Sequence, residues 1–291
     1  MSPRVHELPL DASVLHGYFS PGLEPVLEVQ AGDSVRFTVP NHAWDLGPGT
    51  PFAPRDPERD TGHALAGPIA VRGAVAGQTL AVEVVAVEPL GWGVTHGGRD
   101  HAVDWELEGG VGRAPSRGWE VDLAPFLGVL GMPPPEPGVH STGPPRRCGG
   151  NIDCKELVAG TTLYLPIAVD GALFSAGDGH AAQGDGELSG TAIEAPVRAE
   201  VALSVRDDLP LEWPCARIDC AWLAFGFDEH LGRAARIAVD GILGVLEREH
   251  GLSGADAVAL ASIVVDLRVT QVVNGALGVH AVLRDDAFRR A

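Results

Sequence analysis

Three times along this chain, two short segments with strand-like patterning meet across a glycine-bearing turn: residues 26–39, VLEVQAGDSVRFTV; residues 67–87, GPIAVRGAVAGQTLAVEVVAV; and residues 161–178, TTLYLPIAVDGALFSAGD. In 26–39 apolar and polar residues alternate on either side of Ala31-Gly32-Asp33, the period of a strand with one buried face, and the whole reads as a hairpin. Residues 67–87 repeat the design, and the third unit joins two apolar strands at Asp170-Gly171 before GTAIEAPVRAEVALSV continues in strand. Units of this kind point to half of a β-sandwich or barrel. The 38 glycines and 23 prolines, with only 5% aromatic residues, fit many tight turns between short strands rather than long helices.

Helical periodicity comes late. From Glu229 to His250, apolar residues at Leu231, Ala235, Ala238, Ile242, Val245 and Leu246 share one helical face, and Gly251 supplies the stop. A second helix is expected from Ser253, where Ser-Gly-Ala-Asp resembles a capping box. After it, VVDLRVTQVV, Asn274-Gly275 and ALGVHAVL read as strand, hairpin turn and strand. The expected fold is mainly β, sandwich- or barrel-like, with an α+β C-terminal portion. Residues 1–291 form a single unit, with 1–147 rich in strands and long loops and 148–291 carrying the rest. Residues 41–66 and the stretch from Leu90 to Arg147, rich in Pro and Gly, read mostly as ordered loop.

A formal charge of −18 over 291 residues disfavours phosphate backbones and anionic membrane surfaces, so neither nucleic acid nor membrane is an expected partner. The N-terminal MSPRVHELPLDASVLHGYF lacks the apolar core of a signal peptide and no later run has the length of a membrane span; a cytoplasmic protein is expected. Cys148, Cys154, Cys215 and Cys220 do not have zinc-knuckle spacing, and a chain this long needs no disulfide framework, so they read as reduced, partly buried thiols.

Chemistry concentrates in FSAGDGHAAQGDGE, residues 174–187. On an extended chain Asp178 and His180 project to one face, and carboxylate with imidazole suits a divalent metal of the zinc type. Gln183, Asp185 and Glu187 follow on a glycine-rich turn that could fold them back. Solvated acids on a surface hairpin are the competing reading of the same spacing. A second cluster, CGGNIDCKE at 148–156, places Asn151 and Asp153 two apart, either as a site or as an Asx-type turn entering a strand. His16 and His63 stand behind these as further metal candidates, together with Asp185. No G-x-S-x-G elbow, Walker loop or dinucleotide fingerprint occurs.

Residues 149–196, GGNIDCKELVAGTTLYLPIAVDGALFSAGDGHAAQGDGELSGTAIEAP, resemble the central signature of the acetamidase/formamidase family. The resemblance extends to GHALAGPIAVRGAVAGQTLAVEV, STGPPRRCGGN and SIVVDLRVTQVVNGALGVHAVL. It implies metal-dependent hydrolysis of the C–N bond of a small amide such as formamide, acetamide or a related linear or cyclic amide. It also implies a largely β fold and a homo-oligomer. Clustering and resemblance together assign Asp153, Asp178 and His180 to the metal and Glu187 to proton transfer, although exchanging the roles of Glu187 and Asp178 fits equally well. Asn151 and Gln183 would orient the amide or stabilise its oxyanion. Zinc is the expected ion, and clustered carboxylates also suit calcium. Many relatives carry an Asp in an Asp-Ala-Gly-Gly-like turn after the first hairpin, where this chain has PNHAWDLGPG; Asn41, His42 or Asp45 must take that place. A non-catalytic member that binds a metal or small molecule is the alternative.

Overall fold

The computed structural model describes residues 3–289. A nine-stranded sheet runs in the order Val5–Glu7, Ser34–Val39, Val197–Arg206, Thr79–Pro89, Thr162–Pro166, Cys215–Ile218, Ala221–Asp228, Leu277–Arg284, Val265–Gln271. Facing it is a six-stranded sheet in the order Gly149–Asn151, Phe126–Gly131, Phe174–His180, Leu65–Val71 and Leu15–His16, with Leu27–Val29 also pairing to Leu65–Val71. One continuous core fills the space between them, joining Val35, Phe37, Leu80, Val82, Val201 and Leu203 of the first sheet to Ile69, Val71, Leu127, Leu130, Phe174 and Ala176 of the second. This is a β-sandwich, as expected.

The connections differ from the expected ones. Leu27–Val29 lies in the six-stranded sheet and Ser34–Val39 in the nine-stranded sheet, so the turn at Ala31-Gly32-Asp33 carries the chain from one layer to the other. Leu65–Val71 and Thr79–Pro89 divide in the same way, and so do Thr162–Pro166 and Phe174–His180. All three units are arches, not hairpins. Alternation reports that one face of a strand is buried but not which strand lies beside it, and an arch buries both of its strands against the same core. The Asn274-Gly275 turn does close a hairpin: Val265–Gln271 pairs antiparallel with Leu277–Arg284.

Helix α1 (Leu231–His250) ends at Gly251 in the left-handed conformation, φ 60°, as the stop signal required. It buries Ala234, Ala238, Ile242, Val245 and Leu246, so the apolar face is rotated slightly from the expected one, with Leu231 exposed and Ala234 at the seam. Helix α2 (Gly254–Val264) follows Ser253, although the Ser253 side chain makes no capping hydrogen bond and the expected box does not form. Both helices cover Ala224, Val279, Ala281 and Leu283 at the C-terminal end of the nine-stranded sheet. The stretch expected as loop holds a four-stranded antiparallel sheet of Trp92–His96, Ala102–Glu108, Val111–Ala114 and Trp119–Asp122, and the buried strand Phe126–Gly131. Among the described residues no helix is long and apolar enough to cross a membrane.

Candidate active site

Phe174–His180 is buried along its whole length. Two glycines make that burial feasible: a Cβ on Gly177 would fall 2.1 Å from Ala64 O, and one on Gly179 2.2 Å from Val197 Cγ1. With that face closed against Ala64 and Val197, the residues between and beyond them, Asp178 and His180, carry the chemistry on the other face. The neighbouring strand leaves room for them at Gly128, which falls between the Leu127–Gly179 and Val129–Gly177 pairs. A Cβ at Gly128 would meet Asp153 Oδ1 and Asp178 Oδ2, each at 2.5 Å, and His180 Cε1 at 3.0 Å. The missing side chain is the cradle in which these groups converge.

His180 is the hub. Its Nε2 lies 3.3 Å from Asp178 Oδ2 and 3.4 Å from Glu194 Oε2, and Asp153 Oδ1 is 3.8 Å from its Nδ1. Glu187 joins Asp153 and His180 in a second close grouping. Asp153, Asp178, Glu187 and Glu194 thus place four buried carboxylates around one imidazole. In each of them one oxygen, Asp153 Oδ1, Asp178 Oδ1, Glu187 Oε2 and Glu194 Oε2, is buried without a hydrogen-bond partner. Buried polar atoms are ordinarily paired, so converging carboxylate oxygens without a hydrogen-bond partner are a set that a cation would satisfy. The donor set of carboxylate oxygens and one imidazole nitrogen fits a divalent ion of the zinc type.

Electrostatics express the same crowding. Burial pushes the Glu187 carboxyl up to about 9, with the nearby Asp153 charge adding to the rise. Burial also raises Asp153, to about 6, against the pull of His180. For His180 burial opposes the charged ring, but Glu194 and Asp178 outweigh it and hold its pKa well above the ordinary value. Glu194 is desolvated too, yet His180 and His42 hold it well below the usual carboxylate range.

The backbone is unusual at the same places. Six non-glycine residues among those described have positive φ, and three of them are Asp153 (51°), Asp178 (61°) and Glu187 (46°). Left-handed conformations at non-glycine residues cost of order 1–3 kcal/mol each and persist where surrounding structure enforces them.

Other expected residues have different jobs. Gln183 is committed to its neighbours: its Nε2 donates to Asp153 O at 2.8 Å and its Oε1 lies 2.9 Å from His180 Nδ1. It positions the hub. Asn151 is buried at a strand end with its Oδ1 unpartnered. His63 Nδ1 hydrogen-bonds to Thr142 Oγ1, leaving Nε2 turned to Asp178 Oδ2 at 4.0 Å. His16 is not part of the cluster, because its Nδ1 is bonded to Tyr18 O and its Nε2 to Ser175 Oγ; burial lowers its pKa to about 4. Asp185 turns away to an ion pair with Lys155 at 2.9 Å. Of the three residues in PNHAWD, His42 reaches the site, its Nδ1 3.3 Å from Glu194 Oε2. Asn41 Oδ1 instead accepts from the Ala43 and Asp45 backbone N–H groups and shapes that turn.

Two residues escaped the sequence reading. Glu194 sits in the apolar run AIEAPV; its Oε1 accepts from Ala192 N, which aims Oε2 at His180. Asn274 serves as more than a turn residue, since its Nδ2 donates to Asp153 Oδ2. A lone carboxylate inside an apolar run was the available signal for Glu194; nothing in the sequence marked Asn274.

A depression of about 550 Å³, lined by Thr95, Trp105, Gln183, Glu187, Leu188 and Ile193 among others, brings solvent to the Glu187 side of the cluster. A larger cavity of about 850 Å³, between Pro134–Glu136, Arg146–Cys148 and Pro210–Glu212, holds none of these groups.

Residues 137–214, which include Asn151, Asp153, Asp178, His180, Glu187 and Glu194, match the family model described as the Acetamidase/Formamidase family. Over that stretch the chain is similar to acetamidases and formamidases. The chain is 48% identical over 48 residues to an acetamidase of Mycolicibacterium smegmatis; that stretch is 16% of this chain and 12% of the M. smegmatis protein. Likeness of fold to solved structures extends over nearly all of the chain. An acetamidase from Bacillus halodurans superposes with a TM-score of 0.84 at 27% identity, covering 96% of this chain and 97% of that one. An acetamidase from Yersinia enterocolitica shares the fold with a TM-score of 0.88 at 24% identity, covering 100% and 94%.

Proposed function

We propose that this chain is a metal-dependent amidohydrolase that cleaves the C–N bond of a small amide, formamide, acetamide or a close relative, and releases ammonia or an amine. The observation that carries the reading is the convergence of Asp178 Oδ2 and Glu194 Oε2 on His180 Nε2 beside unpartnered carboxylate oxygens. Asp178, His180 and Glu194 would hold the ion, and Asp153 Oδ1, across the Gly128 cradle, would offer a further oxygen. An ion of the zinc type bound there supplies Lewis acidity, polarising an amide carbonyl and acidifying water.

The protein's own groups do the rest. An amide is a weak electrophile with a poor leaving group, so a site must both activate water and protonate nitrogen. Glu187 stands between the depression and the cluster. A cation held there would favour its ionised form over the protonated one that burial favours, and the carboxylate could then take a proton from the attacking water and return it to the departing nitrogen. Asn151 Oδ1, buried and without a partner, is available to accept from the amide N–H. His63 Nε2, tethered through Thr142, faces the same space from the Asp178 side. Gln183 and Asn274 keep His180 and Asp153 in register.

An ammonia-release screen across formamide, acetamide and their short homologues tests the reading. Turnover of at least one is expected; zinc-loaded protein that binds these amides yet releases no ammonia from any would instead make the chain a non-catalytic binder.

A further inference from the structure

Next to Asp153 in sequence, a second group of ligand-type atoms converges. Cys154 Sγ lies 3.2 Å from Glu156 Oε2, and His280 Nε2 lies 3.7 Å from the same oxygen. The three atoms all fall within 4.8 Å of one another, and none of these residues belongs to the Asp178, His180 and Glu194 set. Cys154 and His280 are buried, 1% and 0% exposed.

The neighbours fix which atoms face inward. His280 Nδ1 is bonded to Thr270 Oγ1 at 2.8 Å, so Nε2 is the end that remains; it is buried and has no hydrogen-bond partner. Arg268 Nη1 donates to Glu156 Oε1 at 2.7 Å, which leaves Oε2 turned to the sulfur and the imidazole. Tetrahedral zinc, with bonds of about 2.3 Å to sulfur and about 2.0–2.2 Å to nitrogen and oxygen, would separate sulfur from oxygen by about 3.6 Å and nitrogen from oxygen by about 3.4 Å. The observed 3.2 and 3.7 Å lie close to both without an ion present to draw the ligands together.

We propose that Cys154, Glu156 and His280 form a second cation site, selective for a thiophilic divalent ion of the zinc type, with water completing the coordination. Thiolate and imidazole select against magnesium and calcium, and a thiolate with a carboxylate balances a divalent charge. The site ties residues 154–156 to the Leu277–Arg284 strand, in the hairpin whose Asn274 also holds Asp153. A bound ion there would stiffen the support of Asp153. The proposal stands whether or not Asp178, His180 and Glu194 take an ion.

Cobalt(II) titration of the chelator-stripped full chain separates the two sites, because only a thiolate ligand produces a sulfur-to-cobalt charge-transfer band in the near ultraviolet. The expected result is such a band, saturable with added cobalt and missing from Cys154→Ser. Glu156→Gln, which preserves size, serves if the serine variant does not fold; it should weaken cobalt binding read by the same band at least as much as losing an outer-shell partner does, roughly 10–100-fold. Absence of the band in the unmodified chain overturns the proposal. So does a band that survives Cys154→Ser, or cobalt affinity unmoved by Glu156→Gln.

Discussion

Gln183 holds His180 by the nitrogen that faces away from Asp178 and Glu194. Its Nε2 donates to the Asp153 carbonyl, which fixes the amide orientation and presents Oε1 to His180 Nδ1 at 2.9 Å. That nitrogen then keeps its proton, so Nε2, between Asp178 and Glu194, is the nitrogen that would give up its proton to bind an ion. Partners of this kind typically contribute 10–100-fold to metal affinity. Gln183→Ala is therefore expected to lower zinc affinity by roughly that factor in competition with a chromophoric chelator, with the circular dichroism spectrum unchanged.

Gly128 is expected to tolerate no side chain. Alanine there would put a methyl 2.5 Å from both Asp153 Oδ1 and Asp178 Oδ2. Gly128→Ala should keep the fold, with a loss of about 1–3 kcal/mol typical of overpacking, while losing both metal binding and ammonia release. A variant that still binds zinc at wild-type affinity would show that the carboxylates do not share this cradle.

Glu187→Gln separates proton transfer from metal binding. The substitution preserves shape and removes only the titratable oxygen, so ammonia release should fall roughly 10²–10⁴-fold at unchanged zinc content. Turnover close to wild type would remove Glu187 from the mechanism and leave Asp178, the other reading of the sequence, to be tested in the same way.

How far such residues could be read from sequence depended on the kind of physics involved. Asp178 and His180 were legible because a strand repeats every second residue, and α1 because its apolar face and Gly251 are local signals. The arches were not legible. The patterning of VLEVQAGDSVRFTV is satisfied equally by a hairpin and by two strands in facing sheets, and only the core between the sheets decides. Gly128, Glu194 and Asn274 were missed, and His42 was named only as one of three alternatives, for a related reason. Their roles arise from contacts with residues far along the chain, such as Asn274 on Asp153, that no local pattern encodes.

The first of those arches also supplies a pH signature of folding. Asp33 accepts hydrogen bonds from His6 Nε2 and from the Arg4 and Gln30 backbone N–H groups, which fastens the N-terminal strand beside Ser34–Val39. These bonds, that of His6 foremost, hold its carboxyl at about 2 against an ordinary value of 3.8. Because the folded-state value is the lower one, the contribution is complete above about 4 and disappears as pH falls through about 2. Thermal melts of Asp33→Asn should accordingly lie below wild type at neutral pH and converge on it between about pH 4 and pH 2. A difference that stays constant across that interval would contradict the assignment.

The central claim is that the carboxylates around His180 hold a cation on which amide hydrolysis depends. Its most direct test is to strip the purified chain with chelator, measure ammonia release from formamide and acetamide, and repeat after adding back zinc. The account predicts that release falls with metal content and returns on addition of zinc in wild type but not in Glu194→Gln. Undiminished release from metal-free protein would contradict it.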